Sequence, residues 1–223
     1  MSDFLARTLP DTLPQQPVAW LQAWLDEAKR QNLARNPNSM TLVTVAASGL
    51  PSARVVLCKE LQVQQGYVVF YTNYRSRKSQ DIEANPQVAG VFHWDAMGRQ
   101  VRIEGRALRS PAEESDAYFS TRDRGSQLGA WASDQSRPIA SRQALLRQLD
   151  ERRRELGADG SAPIPRPPHW GGFRIWLSAI ELWVEGADRV HDRARFERDL
   201  GYREDSGSAT FSPSSWTGSR LQP

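Results

Sequence analysis

Between residues 40 and 109 the chain gathers Val, Leu, Phe and Tyr into short runs, at 40–47, 53–59, 67–72, 88–94 and 100–109. Gly49-Leu50-Pro51, Gln64-Gln65-Gly66 and a turn near Met97-Gly98 interrupt them. Runs of this length bounded by turn residues are too short for stable helices and read as antiparallel strands. The first three are expected to form a meander. A sixth and longer strand is expected at 173–185, after the Pro-rich stretch 163–168 and Gly171-Gly172.

Helical segments flank this block and interrupt it once. Residues 17–33 carry Val18, Leu21, Leu25 and Ala28 at helical intervals behind Pro17, a favourable first-turn residue. Helices are also expected at 76–85, at 111–121 behind Pro111 and two glutamates, and at 141–156, where Leu145, Leu149, Arg153 and Leu156 share a face. Residues 1–16, with Pro10 and Pro14, read as a loose arm; 17–223 read as a single domain in which 199–215 is a mobile hairpin or loop. The fold class is α+β, mainly β: a small barrel with peripheral helices.

Composition excludes several classes of function. The 29 basic and 26 acidic residues leave a net charge of +3 and are largely interleaved, too mild a balance to argue for nucleic acid. One cysteine, Cys58, rules out an internal disulfide, and its setting in Val55-Val56-Leu57-Cys58 is that of a buried small side chain. His93, His169 and His191 have no ligand-type spacing, so no metal is expected. No apolar run reaches the length of a membrane span and no signal-peptide layout is seen, so a cytoplasmic protein is expected.

Basic residues collect at strand ends and turns. In 54–59, Arg54 and Lys59 bracket a strand that otherwise reads as core. In 71–78, a strand ends at Tyr71-Thr72 and a helix begins near Ser76-Arg77-Lys78; unpaired N–H groups at a helix start make this a phosphate cradle, against the plainer reading of an N-cap among surface cations. Tyr118, Arg122 and Ser126 are four apart, hence on one face if a single helix runs through them, and offer a phenol, a guanidinium and a hydroxyl to a second phosphate. Gly129 to Ser133 and then Gln135-Ser136 are small or polar residues suited to close approach of a ligand. Near the C-terminus, Arg189, His191 and Arg193 alternate along what reads as an extended segment after Trp183 and Gly186, converging on one face; the plainer reading is a charged edge strand.

These motifs resemble the pyridoxine/pyridoxamine 5′-phosphate oxidase family: Arg54-x4-Lys59, Tyr71-Thr72, Ser76-Arg77-Lys78, Arg99-Gln100-Val101, Tyr118-Phe119-x2-Arg122-x3-Ser126-Gln127, Gln135-Ser136, the run from Trp183 to Arg193, and the closing Trp216 and Arg220-Leu221-Gln222-Pro223. The resemblance implies an FMN-binding split β-barrel and a homodimer with two flavins at the subunit interface, each site built from both chains. Carried over by position, FMN would be held by Arg54, Val55, Val56, Leu57, Cys58, Lys59, Tyr71, Thr72, Arg77, Lys78, Gln100, Gln135, Ser136, Trp183 and Arg193. The substrate phosphate would lie among Lys59, Tyr118, Arg122 and Ser126, with Arg189 and His191 over the pyridine ring as catalytic residues. The implied activity is that of a pyridoxal 5′-phosphate synthase: hydride transfer from C4′ of pyridoxamine or pyridoxine 5′-phosphate to the flavin, with O2 reduced to hydrogen peroxide. The alternatives are a related FMN oxidase of the phenazine-pathway type and a split-barrel protein that carries flavin or pyridoxal phosphate without turnover. Three departures from the family pattern stand out: Val184 where glutamine is usual, no basic tyrosine-containing segment near the N-terminus, and a longer, more polar 199–215.

Overall fold

The computed structural model describes residues 8–157, 162–205 and 208–223. Helix α1 (Pro17–Arg30) is followed by strands β1 (Ser39–Val45), β2 (Pro51–Leu57), β3 (Glu60–Gln62) and β4 (Tyr67–Asn73). Helix α2 (Arg77–Ala84) leads to β5 (Gln87–Trp94) and β6 (Arg99–Arg109). Three helices follow, α3 (Ala112–Ser120), α4 (Arg124–Ala132) and α5 (Arg142–Glu155), then β7 (Trp170–Val184) and β8 (Asp192–Glu197). Short strands β9 (Arg203–Asp205) and β10 (Ser208–Thr210) precede β11 (Thr217–Leu221).

One antiparallel sheet runs β11-β8-β7-β6-β5-β1-β2, and β4 joins it along the first half of β7, from Tyr67 opposite Trp176 to Asn73 opposite Trp170. The sheet curls into a half-barrel around Leu42, Phe70, Phe92, Ile103, Phe173 and Ile175, with α1 adding Leu21 and Trp24. The expected meander is corrected here. Strand β2 pairs with β1, but among the described residues it shares no ladder with β4, whose partners are β3 and β7. The barrel is therefore split along a seam, crossed by the Lys59 N–H donating to Val69 O at 2.8 Å. Strand β2 is partly exposed along its whole length, Val55 at 66%, whereas β7 is buried on both faces over most of its course.

Helices α1, α2 and α3 fall within the expected spans, and α4 was not expected at all. Helix α5 forms where its periodicity placed it, yet has no buried residue; only Leu149 and Leu156 of its expected face pack partly against neighbouring apolar groups. Of the arm expected over 1–16, residues 1–7 lie outside the described residues. Leu9, by contrast, is buried at 3% exposure, and its N–H donates to Asp192 Oδ2 at 2.7 Å. In 199–215, β9 and β10 form a two-stranded hairpin, Phe211 stacks on Trp176 at 4.2 Å, and residues 206 and 207 lie outside the described residues.

Strand β6 slips its register against β7 between Glu104 and Gly105, and a Cβ on Gly105 would stand 2.0 Å from Trp176 O. A backbone carbonyl cannot yield as a side chain would, so only glycine fits this bulge. Gly105→Ala is expected to cost roughly 2–4 kcal/mol in urea unfolding. An unchanged midpoint would mean that the two strands part there without penalty.

Candidate active site

A cavity of about 740 Å³ opens between β2, β4 and the α3–α4 segment. Close packing behind it fixes its floor. Gly171 and Gly172 of β7 lie opposite Thr72 and Tyr71 of β4, and any Cβ there would collide with Tyr74, Ser110 or Tyr71. With only hydrogen at those positions, Tyr71 lies flat in a stack: its ring is 4.0 Å from Tyr118 and 5.5 Å from Trp170. Burial, helped by Glu114, pushes the Tyr71 phenol well up from its ordinary value, so this face is neutral and aromatic.

Two groups of cations meet this cavity. The first is at the start of α2. Lys78 is buried and spends its ammonium on neutral oxygens: Gln135 Oε1 at 2.7 Å, Thr72 Oγ1 at 3.0 Å and Ser76 Oγ at 3.1 Å. Burial first, and the charge of Arg54 second, lower its pKa to about 8. Ser76 stands at the N-cap, but its hydroxyl binds Ser79 and Lys78 and makes no capping bond, so the leading N–H groups keep their partial positive charge. Arg77 is exposed beside them, close enough for its charge to act on Arg54.

The second group lies on the aromatic stack. The Arg122 guanidinium sits 4.6 Å over the Trp170 ring, and Lys59 Nζ is 5.8 Å from the Tyr118 ring. Arg122 Nη1 is buried and finds no hydrogen-bond acceptor among the described residues, and burial lowers its pKa. A buried donor without an acceptor is costly and marks a place where an anion would be welcome. The expectation that one helix presents Tyr118, Arg122 and Ser126 is corrected. Helix α3 ends at Ser120, and Asp123 caps a new helix by accepting the Ser126 N–H at 2.8 Å. The three side chains still line the same cavity, brought there by the turn between α3 and α4.

Val55, Val56, Leu57, Lys59, Tyr71, Thr72, Lys78 and Gln135 line the cavity as well. Arg54 lies behind it, bonded to Thr44. Ser136 is exposed in a left-handed conformation, φ 70°. Cys58 faces away into the core, its thiol pushed up to about 12 by burial, so it supplies no nucleophile. Sequence reading missed Trp170, the base of the stack, and the pair Thr44 and Asp81; isolated residues inside apolar strands and helices carry no pattern of their own.

Gln100, Trp183, Arg189, His191 and Arg193 do not line this cavity. Gln100, Trp183 and Arg193 stand side by side on β6, β7 and β8. Arg193 donates through Nε and Nη2 to Glu181 Oε1, at 3.1 and 2.9 Å, while Arg102 reaches Oε2 at 3.0 Å. The extended segment expected from Arg189 to Arg193 is also corrected. Residues Ala187–Arg189 form a single tight turn in which Asp188 and Arg189 take φ of 54° and 63°, so alternation begins only in β8. Such φ values are strained for residues with side chains, and the turn holds them while Arg189 stays exposed. The His191 ring tilts against Trp183 at 4.6 Å, and its Nδ1 accepts the Gly186 N–H at 3.2 Å. In the neutral ring this bond assigns the proton to Nε2.

Residues 25–154 match the family model described as Pyridoxamine 5′-phosphate oxidase, and residues 170–223 match that of the Pyridoxine 5′-phosphate oxidase C-terminal dimerisation region. The chain is similar to a pyridoxine/pyridoxamine 5′-phosphate oxidase of Rubrobacter xylanophilus, 49% identical over 189 residues, which cover 85% of this chain and 84% of that one. It is 43% identical over 222 residues to another of that name from Acaryochloris marina, covering 99% and 93%. Among solved structures, PhzG from Burkholderia lata in complex with tetrahydrophenazine-1-carboxylic acid superposes with a TM-score of 0.81 at 29% identity, covering 96% of this chain and 95% of that one. A pyridoxamine 5′-phosphate oxidase-related, FMN binding protein of Nostoc punctiforme shares the fold at a TM-score of 0.67 and 15% identity, covering 92% and 97%.

Glu181 is 2% exposed and is the carboxylate on which Arg102 and Arg193 converge. Glu181→Leu is expected to cost about 2–3 kcal/mol in urea unfolding, below the full penalty for a buried pair because both arginines remain partly in water. A loss under about 0.5 kcal/mol would show that water takes over both cations.

Proposed function

The chain belongs to the pyridoxamine 5′-phosphate oxidase family of oxidoreductases, and on that premise we propose that it makes pyridoxal 5′-phosphate with FMN as cofactor. Pyridoxamine 5′-phosphate, O2 and water would give the aldehyde, ammonia and hydrogen peroxide; pyridoxine 5′-phosphate and O2 would give the aldehyde and hydrogen peroxide. The observation that carries this reading is the pair of cationic cradles on one cavity with an aromatic floor, which suits two phosphorylated ligands held side by side.

The residues fit the cofactor. Arg54, Arg77, Lys78 and the start of α2 would hold the FMN phosphate, with Thr72, Gln135 and Ser136 as polar neighbours. Val55, Val56 and Leu57 offer the exposed edge of β2 to the ring. Lys59, Tyr118, Arg122 and Ser126 would hold the substrate phosphate, so that Arg122 Nη1 gains its acceptor. Bound FMN supplies the two-electron acceptor that no side chain here can provide.

Arg189 would stabilise the negative charge left on nitrogen or oxygen as the C4′ amine or alcohol loses its proton, with His191 braced by Gly186 and Trp183 to assist it. These two, with Gln100, Trp183 and Arg193, would come from a second copy of the chain in a homodimer. Along β7 the eleven steps from Gly172, opposite Tyr71, to Trp183 span roughly 35 Å, more than one chain can fold back across a single ligand. The match to a dimerisation region supports the same reading. A cytoplasmic location belongs to the proposal and is supported by the single, buried, unpaired thiol. No described helix is long and apolar enough to cross a membrane.

The likeness to PhzG favours a second reading, oxidation of a tricyclic carboxylic acid. Such a ligand has no phosphate to occupy the Arg122 cradle. The purified yellow protein, mixed anaerobically with pyridoxamine 5′-phosphate, is expected to lose its visible absorbance and regain it in air as pyridoxal phosphate appears. Arg189→Ala is expected to keep the flavin and lose 10²- to 10³-fold in turnover, roughly the worth of one electrostatic contact in a transition state. Colour that persists with both vitamers, but bleaches with a dihydrophenazine acid, would install the second reading.

Lys78 loses its proton as pH rises through about 8, whereas a phosphate dianion favours the charged ammonium. FMN affinity is therefore expected to fall up to about tenfold from about pH 7 to about pH 9, while riboflavin, which has no phosphate, keeps a level affinity. Flavin fluorescence quenching reads both. A flat FMN profile would remove Lys78 from the cradle.

A further inference from the structure

Behind the first cradle lies a chain of three side chains, two of them buried. Thr44 of β1 is fully buried and Asp81 of α2 is 5% exposed. The Thr44 hydroxyl donates to Asp81 Oδ2 at 2.6 Å and accepts from Arg54 Nη1 at 2.7 Å; Arg54 Nη1 also reaches Leu42 O at 3.3 Å. Arg54 Nη2 stays 3.8 Å from Asp81 Oδ2. The directions are forced. A guanidinium can only donate and an ionised carboxylate can only accept, so the single hydroxyl proton must point to Asp81 and a lone pair to Arg54.

A guanidinium beside a buried carboxylate ordinarily closes into a direct, often two-pronged ion pair. Here the Thr44 hydroxyl bridges the two groups, meeting one donor of Arg54 and one acceptor of Asp81, so neither is left to draw the other closer. Arg54 thus keeps an open ion pair with Asp81, at 3.8 Å and without a direct hydrogen bond, and its charge still acts on Lys78 and Arg77. Against Arg54, Arg77 and Lys78 the cradle sets only Asp81, an excess of about two positive charges, which matches a phosphate dianion.

We propose that Thr44 is a positioning residue, a spacer that keeps Arg54 from collapsing onto Asp81 and so sets the affinity of the α2 cradle for a phosphate monoester. The proposal rests on the reading of that cradle as the FMN phosphate site. With Thr44 replaced by Val, equal in shape but without the hydroxyl, Arg54 has a short move to a closed pair with Asp81, and its charge is withdrawn from the cradle.

The test titrates flavin-stripped, full-length protein with FMN and with riboflavin, following fluorescence. Thr44→Val is expected to weaken FMN about tenfold, the worth of one charge-assisted hydrogen bond, and to leave riboflavin unchanged. Thr44→Ser, which keeps the hydroxyl, is expected to stay within about twofold of wild type. Adding Asp81→Asn to Thr44→Val removes the carboxylate on which Arg54 would close, and is expected to recover most of the loss. The spacer role is overturned if Thr44→Val leaves FMN affinity intact, weakens riboflavin in parallel, or is not rescued by Asp81→Asn. Should Thr44→Val fail to fold, Thr44→Ala takes its place, with the same three readouts. Wild-type protein that binds the two flavins equally would instead remove the FMN phosphate from this cradle, a different failure read before any variant is made.

Discussion

A strand has two hydrogen-bonding edges, and the way β7 divides one of them shapes the rest of the molecule. Its first edge pairs with β6 from Phe173 to Val184, apart from the slip at Gly105. Its second edge serves β4 up to Trp176 and β8 from Ala179 onward. At the changeover the Leu177 N–H turns to Gly66 O, and Arg198 reaches across: its N–H binds Ser178 O, its Nε binds Leu177 O, and its Nη2 binds Gly66 O. Burial lowers the pKa of that guanidinium to about 10, a cost set against its donation to the carbonyls of Leu177, Gln65 and Gly66. The edge of β4 away from β7 is taken by β3 over Tyr67–Val69 and shares no ladder with β2 among the described residues, and the cavity opens at the seam between them.

The same division separates the candidate functional side chains electrostatically. On the β4 half, Lys78 is held by neutral oxygens and Arg122 by an aromatic face, so their charge is left for a ligand. On the β8 half, Arg193 is matched by buried Glu181, and Asp192 is engaged by Arg220. One half is built to attract anions and the other to hold a rigid row of side chains.

Much of the fold was legible because it rests on local pattern. The strands at 67–72, 88–94 and 100–109 alternate or run apolar as buried strands must, and Pro17 and Pro111 mark helix starts. What was not legible depends on partners distant in sequence. Nothing near Tyr67 says that it pairs with Trp176 and not with β2. Gly125 and Gly129 hid α4, whose start is fixed by the Asp123 side chain rather than by periodicity. Strict alternation failed at Arg189 because two consecutive left-handed residues replace the strand there. The candidate site residues came from family resemblance and spacing, and those signals carry no information about which of them share a chain.

Asp192 joins three remote parts of the sequence: its carboxylate accepts the Leu9 N–H and engages Arg220, whose Nη2 also donates to Pro10 O at 2.8 Å. Residues 9 and 220 lie 211 apart, so this knot requires a very long loop closure, whereas Lys78 meets Ser76, Thr72 and Gln135 at 2, 6 and 57 residues. By this ordering the cradle at α2 can assemble while most of the chain is still finding its place. The row containing Arg193, flanked by that knot, waits for the final docking of β11. The anion-attracting half thus depends on partners as far along the chain as Trp170, and the aromatic and basic row is flanked by a knot that depends on Arg220.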